Sequence, residues 1–397
     1  MEKEIGNIHI VLTTFCNMGC PGCYQEHLKE TNNFYLNDEQ IANIRYLYKK
    51  FKSENKDIKV SFFGGEPLLK ADTLIDILWF LKEEEMDIKY INIPTSGGPQ
   101  LKLLKQHLPR IKRVTTLTFP KAKTTISLSY DGPDNIKRRN IPSNLIEEGF
   151  SILINNNVEP EYTSCVIPIG GDTGNLLDGI LPHNYFISTY LDVVRRTGLA
   201  PTFTIPHIMT KKLDYIALNI ELEKLLEHLD IRLVYKNEKE RYRTSGVIAI
   251  TRPELHNRIP KLIMDTIERI LKPELNQDKY NWCQAGRNHF ALTGIPGKMM
   301  SGCEFLDIPA QEAKATLDNW CRGCSVAPWC QRPCLKNAEN LQKLSKIGDS
   351  EDRTLLDYPN QLNNQCNFRK VLIHTIKTKL DDQIQKLISQ SPTGKLD

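Results

Sequence analysis

Three cysteines near the start of the chain, Cys16, Cys20 and Cys23 in the run CNMGCPGCY, are spaced C-x3-C-x2-C. An iron-sulfur cube ordinarily takes one thiolate per iron, so a short loop with three thiols can wrap the cube and leave its fourth iron open to an outside molecule. That open corner would be a seat for chemistry. A zinc knuckle and plain coincidence are the competing readings. A structural zinc wants four ligands, commonly as two C-x2-C pairs, and nothing before Cys16 supplies the fourth. Seven more cysteines follow late in the chain: Cys283, Cys303, Cys321-x2-Cys324-x5-Cys330-x3-Cys334, and Cys366. Two tetrahedral zinc sites would need an eighth ligand such as His289. The remaining cysteine, Cys165 in YTSCVIPI, reads as a small buried apolar residue of a strand.

The elements that must position these groups read as a repeating pattern. From residue 8 to about 235, short apolar runs alternate with amphipathic stretches, which predicts parallel strands joined by crossover helices. Strands are expected at 8–14, 59–63, 90–94, 125–129, 161–167 and 202–205. Helices are expected from Asn37, a cap with Gln40 three residues on, and near 70–84, 143–155, 184–196 and 216–228. The first helix should bury Ile41, Ile44, Tyr48 and Phe51. Six strands with their helices make an α/β fold, an incomplete (β/α)6 TIM-like barrel. In such barrels the working groups sit on loops at the C-terminal ends of strands.

Three polar loops fall at those ends. Gly64-Gly65-Glu66-Pro67 follows the second strand, Thr95-Ser96-Gly97 the third, and Ser129-Tyr130-Asp131-Gly132-Pro133 the fourth. Paired glycines let backbone approach closely, and the residue before a proline is pushed toward extended geometry, which would present Glu66. By themselves GGEP and Asp131-Gly132-Pro133 also read as ordinary turns.

At 397 residues the chain can bury a large core and form two domains. The N-terminus has no signal-peptide pattern, and no run approaches the roughly 18 apolar residues of a membrane span. With 11 cysteines and no sign of an oxidising compartment, the protein is expected in the cytoplasm with ten of those thiols holding metal. With 52 basic against 48 acidic residues and a net charge of +4, neither nucleic acid nor membrane is expected as a partner. Lys137, Arg138 and Arg139 read as a solvated loop or helix start, and residues 236–243 as a solvated connector. After Cys366, Ile373, Ile376, Leu380, Ile384 and Leu387 recur at three and four, an amphipathic helix before a fraying end. The divisions are 1–235, the barrel; 236–275, a connector; 276–370, the cysteine-rich domain; and 371–397, the helix and tail.

The cysteine loop with its neighbours Phe15, Asn17 and Tyr24, followed by GGEP, Thr-Ser-Gly and Ser-x-Asp-Gly-Pro at successive strand ends, resembles the radical S-adenosylmethionine (radical SAM) enzymes. The resemblance implies that the open iron is chelated by the amino and carboxylate groups of SAM, and that the reduced cluster releases a 5'-deoxyadenosyl radical. Gly64, Gly65, Glu66 and Pro67 would then hold the SAM amino group, with Thr95, Ser96, Ser129 and Asp131 close to SAM. Relatives often carry an aromatic at the position of Gly22, near adenine; here either Tyr24 would compensate or the adenine would rest on backbone alone. They also continue with His-Asp and an Arg where this chain has Lys137, Arg138 and Arg139.

The later cysteines resemble the SPASM domain of radical SAM peptide maturases, which binds two auxiliary [4Fe-4S] clusters. That resemblance assigns Cys283, Cys303 and Cys334 to the first and Cys321, Cys324, Cys330 and Cys366 to the second, for three [4Fe-4S] clusters in all. Glu304 stands after Cys303, where sulfatase-maturing enzymes carry an Asp that takes a proton from substrate, so it is a candidate general base. The implied activity is maturation of a ribosomally made precursor peptide. Formylglycine formation in a sulfatase is the enzyme alternative, and a non-catalytic multi-cluster electron carrier is the alternative of another class. Expected partners are the peptide or protein substrate and a reductant such as flavodoxin or ferredoxin. Since the chain reaches its cluster loop by Cys16, any leader peptide would be recognised by the barrel, the connector or a separate leader-recognition protein.

Overall fold

The computed structural model describes residues 3–20, 31–130, 136, 139, 141–142, 144–163, 165–166, 185–197, 200, 203–204, 215–235, 247–250, 259–271, 289–294, 300–301, 310–330, 338, 341–342 and 358–389. The chain divides into two compact units, Met1–Thr163 with Cys283–Glu312, and Ser164–Trp282 with Ala313–Asp397.

In the first unit, β1 (Ile5–Thr13), β2 (Asp57–Gly64), β3 (Ile88–Thr95), β4 (Lys123–Ser129) and β5 (Glu159–Thr163) lie parallel in that order. Helices α1 (Asp38–Ser53), α2 (Ala71–Glu83), α3 (Lys102–Thr118) and α4 (Asn144–Asn155) connect them. The chain passes into the second unit through β6 (Cys165–Val166), α5 (Tyr185–Thr197), β7 (Phe203–Thr204), α6 (Tyr215–Leu229), β8 (Arg232–Tyr235), β9 (Val247–Ile250) and α7 (Lys261–Leu271). It returns with β10 (His289–Thr293), parallel to β1, and β11 (Met300–Ser301), antiparallel to β10.

Period-two alternation makes the sheet two-faced. Ile8, Ile10, Leu12, Ile58, Val60, Phe62, Ile91, Ile93, Ile126 and Leu128 are all buried on one face, where the crossover helices supply Ile44, Leu47, Phe51, Leu74, Ile77 and Leu78. The other face carries a polar row beside the apolar pair Val11 and Phe63. His9, Ser61, Asn92 and Thr125 are register partners across four strands. The Ser61 hydroxyl donates to Asn7 Oδ1 at 2.9 Å, and Asn92 Nδ2 donates to Thr125 Oγ1 at 3.0 Å and Ser127 Oγ at 3.1 Å. Burial, with the Lys59 charge acting the same way, lowers the His9 pKa to about 3.

Asn37 caps α1, its Oδ1 accepting from Gln40 N at 2.9 Å. The Gln40 side chain turns elsewhere, donating through Nε2 to Thr293 O of β10 at 2.8 Å. Leu47 takes the buried position expected of Tyr48.

Two expectations need correction. The strand expected at 161–167 is split between β5, in the seven-stranded sheet, and β6, which among the described residues pairs with β7, while β10 and β11 occupy a side of β1 for which no strand was expected. In addition, α3 runs through Pro109, over residues where no helix was expected. Proline removes one N–H and disfavours a helix interior. Buried Leu104, Leu108, Ile111 and Thr115 on one face outweigh that cost.

Within the second unit, α9 (Tyr358–Ser389), which follows α8 (Ala310–Trp320), packs against α6, α7 and β8. Thr375 Oγ1 donates to Asn219 Oδ1 at 2.6 Å, and the Gln383 side chain joins α9 to Leu233 N at 2.8 Å. Among the described residues, no helix is long and apolar enough to cross a membrane.

Candidate functional site

The cysteine loop leaves β1 at Thr13 and is held at its base from two sides. On one side Gly65 N donates to Thr13 O at 2.8 Å and Glu66 N to Phe15 O at 3.0 Å, so the GGE backbone runs against the start of the loop. A Cβ on Gly65 would meet Phe15 O at 2.1 Å and Cys16 N at 2.8 Å; one on Gly64 would meet Thr13 O at 2.2 Å, and Gly64 has φ of 144°. Two glycines are what allow this approach. On the other side, Thr14 N donates to Asn32 O, and Asn32 N to Thr14 Oγ1, each at 2.9 Å. Phe34 N donates to Leu12 O at 2.9 Å. Thr13 and Thr14 were not singled out from sequence, although a Thr pair just ahead of a cysteine loop is suited to such side-chain-to-backbone bonds. Cys16 and Cys20 are half-buried. Cys20 Sγ lies 3.8 Å from Arg139 O.

Glu66 is only 1% exposed, and Pro67 behind it starts a short 3-10 turn, Pro67–Lys70. Its Oε1 accepts from Thr95 Oγ1 at 2.6 Å and Leu68 N at 3.1 Å; its Oε2 accepts from Ser96 Oγ at 2.6 Å and Ser96 N at 3.0 Å. A carboxylate offers about four lone-pair sites, so this one is filled by its own chain. The hydroxyls pass the network on, Thr95 Oγ1 accepting from Gly97 N at 2.8 Å and Ser96 Oγ from Gly98 N at 3.2 Å. The loops after β2 and β3 are thereby one hydrogen-bonded body. An ammonium group arriving at Glu66 would have to displace a hydroxyl.

Beside these loops is a cavity of about 580 Å³, lined among others by Asn17 and Met18 of the cysteine loop, Gln100 beyond β3, and Lys105 and Glu148. Its volume falls in the range of small-molecule and cofactor sites. Ser129 ends β4 half-buried, and the adjoining Tyr130 is fully buried. Cys23, Tyr24, Asp131, Cys283, Cys303, Glu304 and Cys334 lie outside the described residues. Among those described, no three His, Cys, Asp or Glu residues are grouped to hold a metal ion. The thiols on the loop, the glycine-permitted approach and the adjacent cavity nonetheless form a donor set that suits a cube with a bound small molecule.

The other described cysteines all belong to the second unit. Cys321 closes α8, its N–H donating to Leu317 O at 2.9 Å. Successive turns follow, Cys324 N to Cys321 O and Ala327 N to Cys324 O at 3.1 Å, then Trp329 N to Val326 O at 3.0 Å. Cys330 is buried with Val326 and with Ile373 of α9, and Cys324 packs against them. Cys366 stands two helical turns before Ile373, on the same face. Burial raises the Cys366 pKa, with Arg369, a hydrogen bond from Trp320 and Lys370 opposing that and Cys324 adding to it. These four thiols thus share one neighbourhood.

Residues 10–174 match the model of the Radical SAM superfamily. The radical SAM cyclopropyl synthase TigE of Paramaledivibacter caminithermalis is 24% identical over 169 residues, 39% of this chain and 36% of that protein. The chain therefore spans little more than a third of that relative's length. A probable GTP 3',8-cyclase of Methanococcus maripaludis is 24% identical over 283 residues, 70% of this chain and 87% of that protein. A solved structure of hexahistidine-tagged anSMEcpe with bound AdoMet superposes with a TM-score of 0.54 at 14% identity, covering 97% of each chain. At that identity the likeness shows a shared α/β fold with a parallel sheet.

Proposed function

Since residues 10–174 match the Radical SAM superfamily model, we propose that the protein is a peptide maturase that binds SAM and three [4Fe-4S] clusters and modifies a residue of a ribosomally made precursor. The observation that carries this reading is the late cysteine set, four members of which share one neighbourhood in the second unit. Cys16, Cys20 and Cys23 hold the first cluster; Cys283, Cys303 and Cys334 hold the second; Cys321, Cys324, Cys330 and Cys366 hold the third. When bound, SAM and the first cluster supply a radical that removes a hydrogen atom from the substrate. Gly64 and Gly65 keep the cysteine loop against β2, while Glu66, oriented by Thr95 and Ser96, takes the SAM amino group in exchange for a hydroxyl. Ser129, Asp131 and Tyr24 complete the proposed set of SAM contacts, Tyr24 for the adenine. Glu304 accepts a proton from the substrate.

Anaerobic reconstitution tests the reading. Roughly twelve irons with matching sulfide per chain are expected from three cubes, and replacing Cys16, Cys20 and Cys23 together by Ala should remove about a third of the iron and all 5'-deoxyadenosine formation from SAM. Stoichiometric zinc with little iron would overturn it. A second reading, nucleotide cyclisation, draws on the similarity to the probable GTP 3',8-cyclase over 70% of this chain. Deoxyadenosine formation stimulated by GTP and not by precursor peptides would select it. Stimulation by a sulfatase-derived Cys or Ser peptide would select formylglycine formation.

A further inference from the structure

Two arginines lie buried beside the late cysteines. Arg269 on α7 is 6% exposed and Arg369 on α9 is 5% exposed. They are close enough to feel each other's positive charge, and Arg269 also feels Cys330. Arg369 acts on Cys366, which it follows by three residues on the same helix face. Nearby carboxylates do not complete the pairing of Arg269. Asp265 and Glu268 lie on its own helix, and its Nε and Nη2 are buried without a hydrogen-bond partner among the described residues.

A buried guanidinium with unbonded N–H groups is costly, and a second one beside it raises the cost. An anion among them would reverse the balance. Four thiolates on a doubly charged [4Fe-4S] core leave two net negative charges, the complement of two guanidinium groups, and N–H donation toward cluster sulfur is one of the means by which a protein sets cluster potential. We propose that Arg269 and Arg369 are the counter-charges of the cluster held by Cys321, Cys324, Cys330 and Cys366, and that they raise its reduction potential. This rests on the four-cysteine assignment above.

The test uses the full chain, with Cys16, Cys20 and Cys23 replaced by Ala so that the first cluster does not contribute. Arg269→Met keeps an unbranched apolar stem, and Arg269→Lys keeps the charge. After anaerobic reconstitution, iron and sulfide are counted and the clusters titrated with a chemical reductant under electron paramagnetic resonance. In Arg269→Met, one signal should shift to more negative potential by at least tenfold in its equilibrium constant, about 59 mV for one electron, while Arg269→Lys should stay near the parent. The iron-free protein supplies a readout that does not depend on loading. There Arg269→Met should raise the thermal midpoint, because a buried charge with no anion is removed. Normal iron with unmoved signals in Arg269→Met, or a lowered midpoint in its iron-free form, would overturn the counter-charge role. A parent that loads no more iron than the first auxiliary cluster requires would overturn the four-cysteine assignment itself.

Discussion

Gly65→Ala tests whether the GGE backbone is a buttress for the cysteine loop. Its new methyl carbon would sit 2.1 Å from Phe15 O, 2.4 Å from Phe15 C and 2.8 Å from Cys16 N. All three are backbone atoms, so no side chain can swing aside, and ordinary contact requires the loop to retreat by about 1 Å or more. Retreat strains both bonds that join the segments, Gly65 N to Thr13 O and Glu66 N to Phe15 O. Overpacking at about 1–3 kcal/mol, with two hydrogen bonds at about 0.5–1.5 kcal/mol each, gives a destabilisation of about 2–6 kcal/mol. Because the displaced atoms include the amide of Cys16, the loss should also appear in metal loading. The assay is urea unfolding of the iron-free protein together with iron per chain after reconstitution. The expected result is an earlier unfolding transition and about a third less iron, with the late cysteines still loaded. Unchanged unfolding and full iron in Gly65→Ala would refute the buttress. Lost stability with full iron would keep the clash but remove its connection to the cluster.

Three further outcomes are expected. Glu66→Ala should lower SAM affinity and leave iron near normal, and it should also cost about 1–3 kcal/mol because the Thr95 and Ser96 donors lose their acceptor; unchanged SAM binding would leave Glu66 as a loop tie alone. His9, whose pKa burial lowers from 6.5 to about 3, stays neutral in the fold while the unfolded chain takes up a proton below pH 6.5. Its contribution is therefore whole above that pH and is lost as pH falls toward 3, by about 2–3 kcal/mol over the first two units, and a His9→Phe variant with the same pH dependence of urea stability would contradict this. Glu304→Gln should keep clusters, SAM binding and some deoxyadenosine while reducing peptide product by about 10²–10⁴-fold, read by mass spectrometry; product at the parental rate would remove Glu304 from the chemistry.

The central strands and most crossover helices were legible because one apolar row per strand and one apolar stripe per helix must be buried, and Ile8, Ile10 and Leu12 or Ile44 and Phe51 write that requirement locally. Asn37 was legible as a cap for the same local reason. β10 was not. HFALT is a short run whose place beside β1 depends on a partner far away in the chain, and no periodicity encodes which strand it joins. α3 was hidden by Pro109, a local signal that tertiary burial overruled. At the site, the two glycines pointed to close backbone approach, but their sequence did not say that the neighbour is the cysteine loop. Nor did Glu66-Pro67 disclose that the carboxylate is already filled by hydroxyls from the next strand's loop.

Arg269 shows most sharply where pattern reading stops. In KLIMDTIERIL the buried positions Ile263, Thr266, Ile267 and Ile270 form a helical stripe, and a charged residue next to it is ordinarily assigned to solvent. Burial of a charge depends on what faces it across space, which a single helix does not record. Cys330 and Arg369 come from other segments, and only their convergence gives Arg269 an environment in which an anion is wanted. The same reasoning separates the two cysteine sets. The early loop meets the backbone amides of Gly65 and Glu66, with the Glu66 carboxylate turned to Thr95 and Ser96, while two buried guanidinium groups lie within electrostatic reach of the late set, and on that difference their proposed counter-charge role rests.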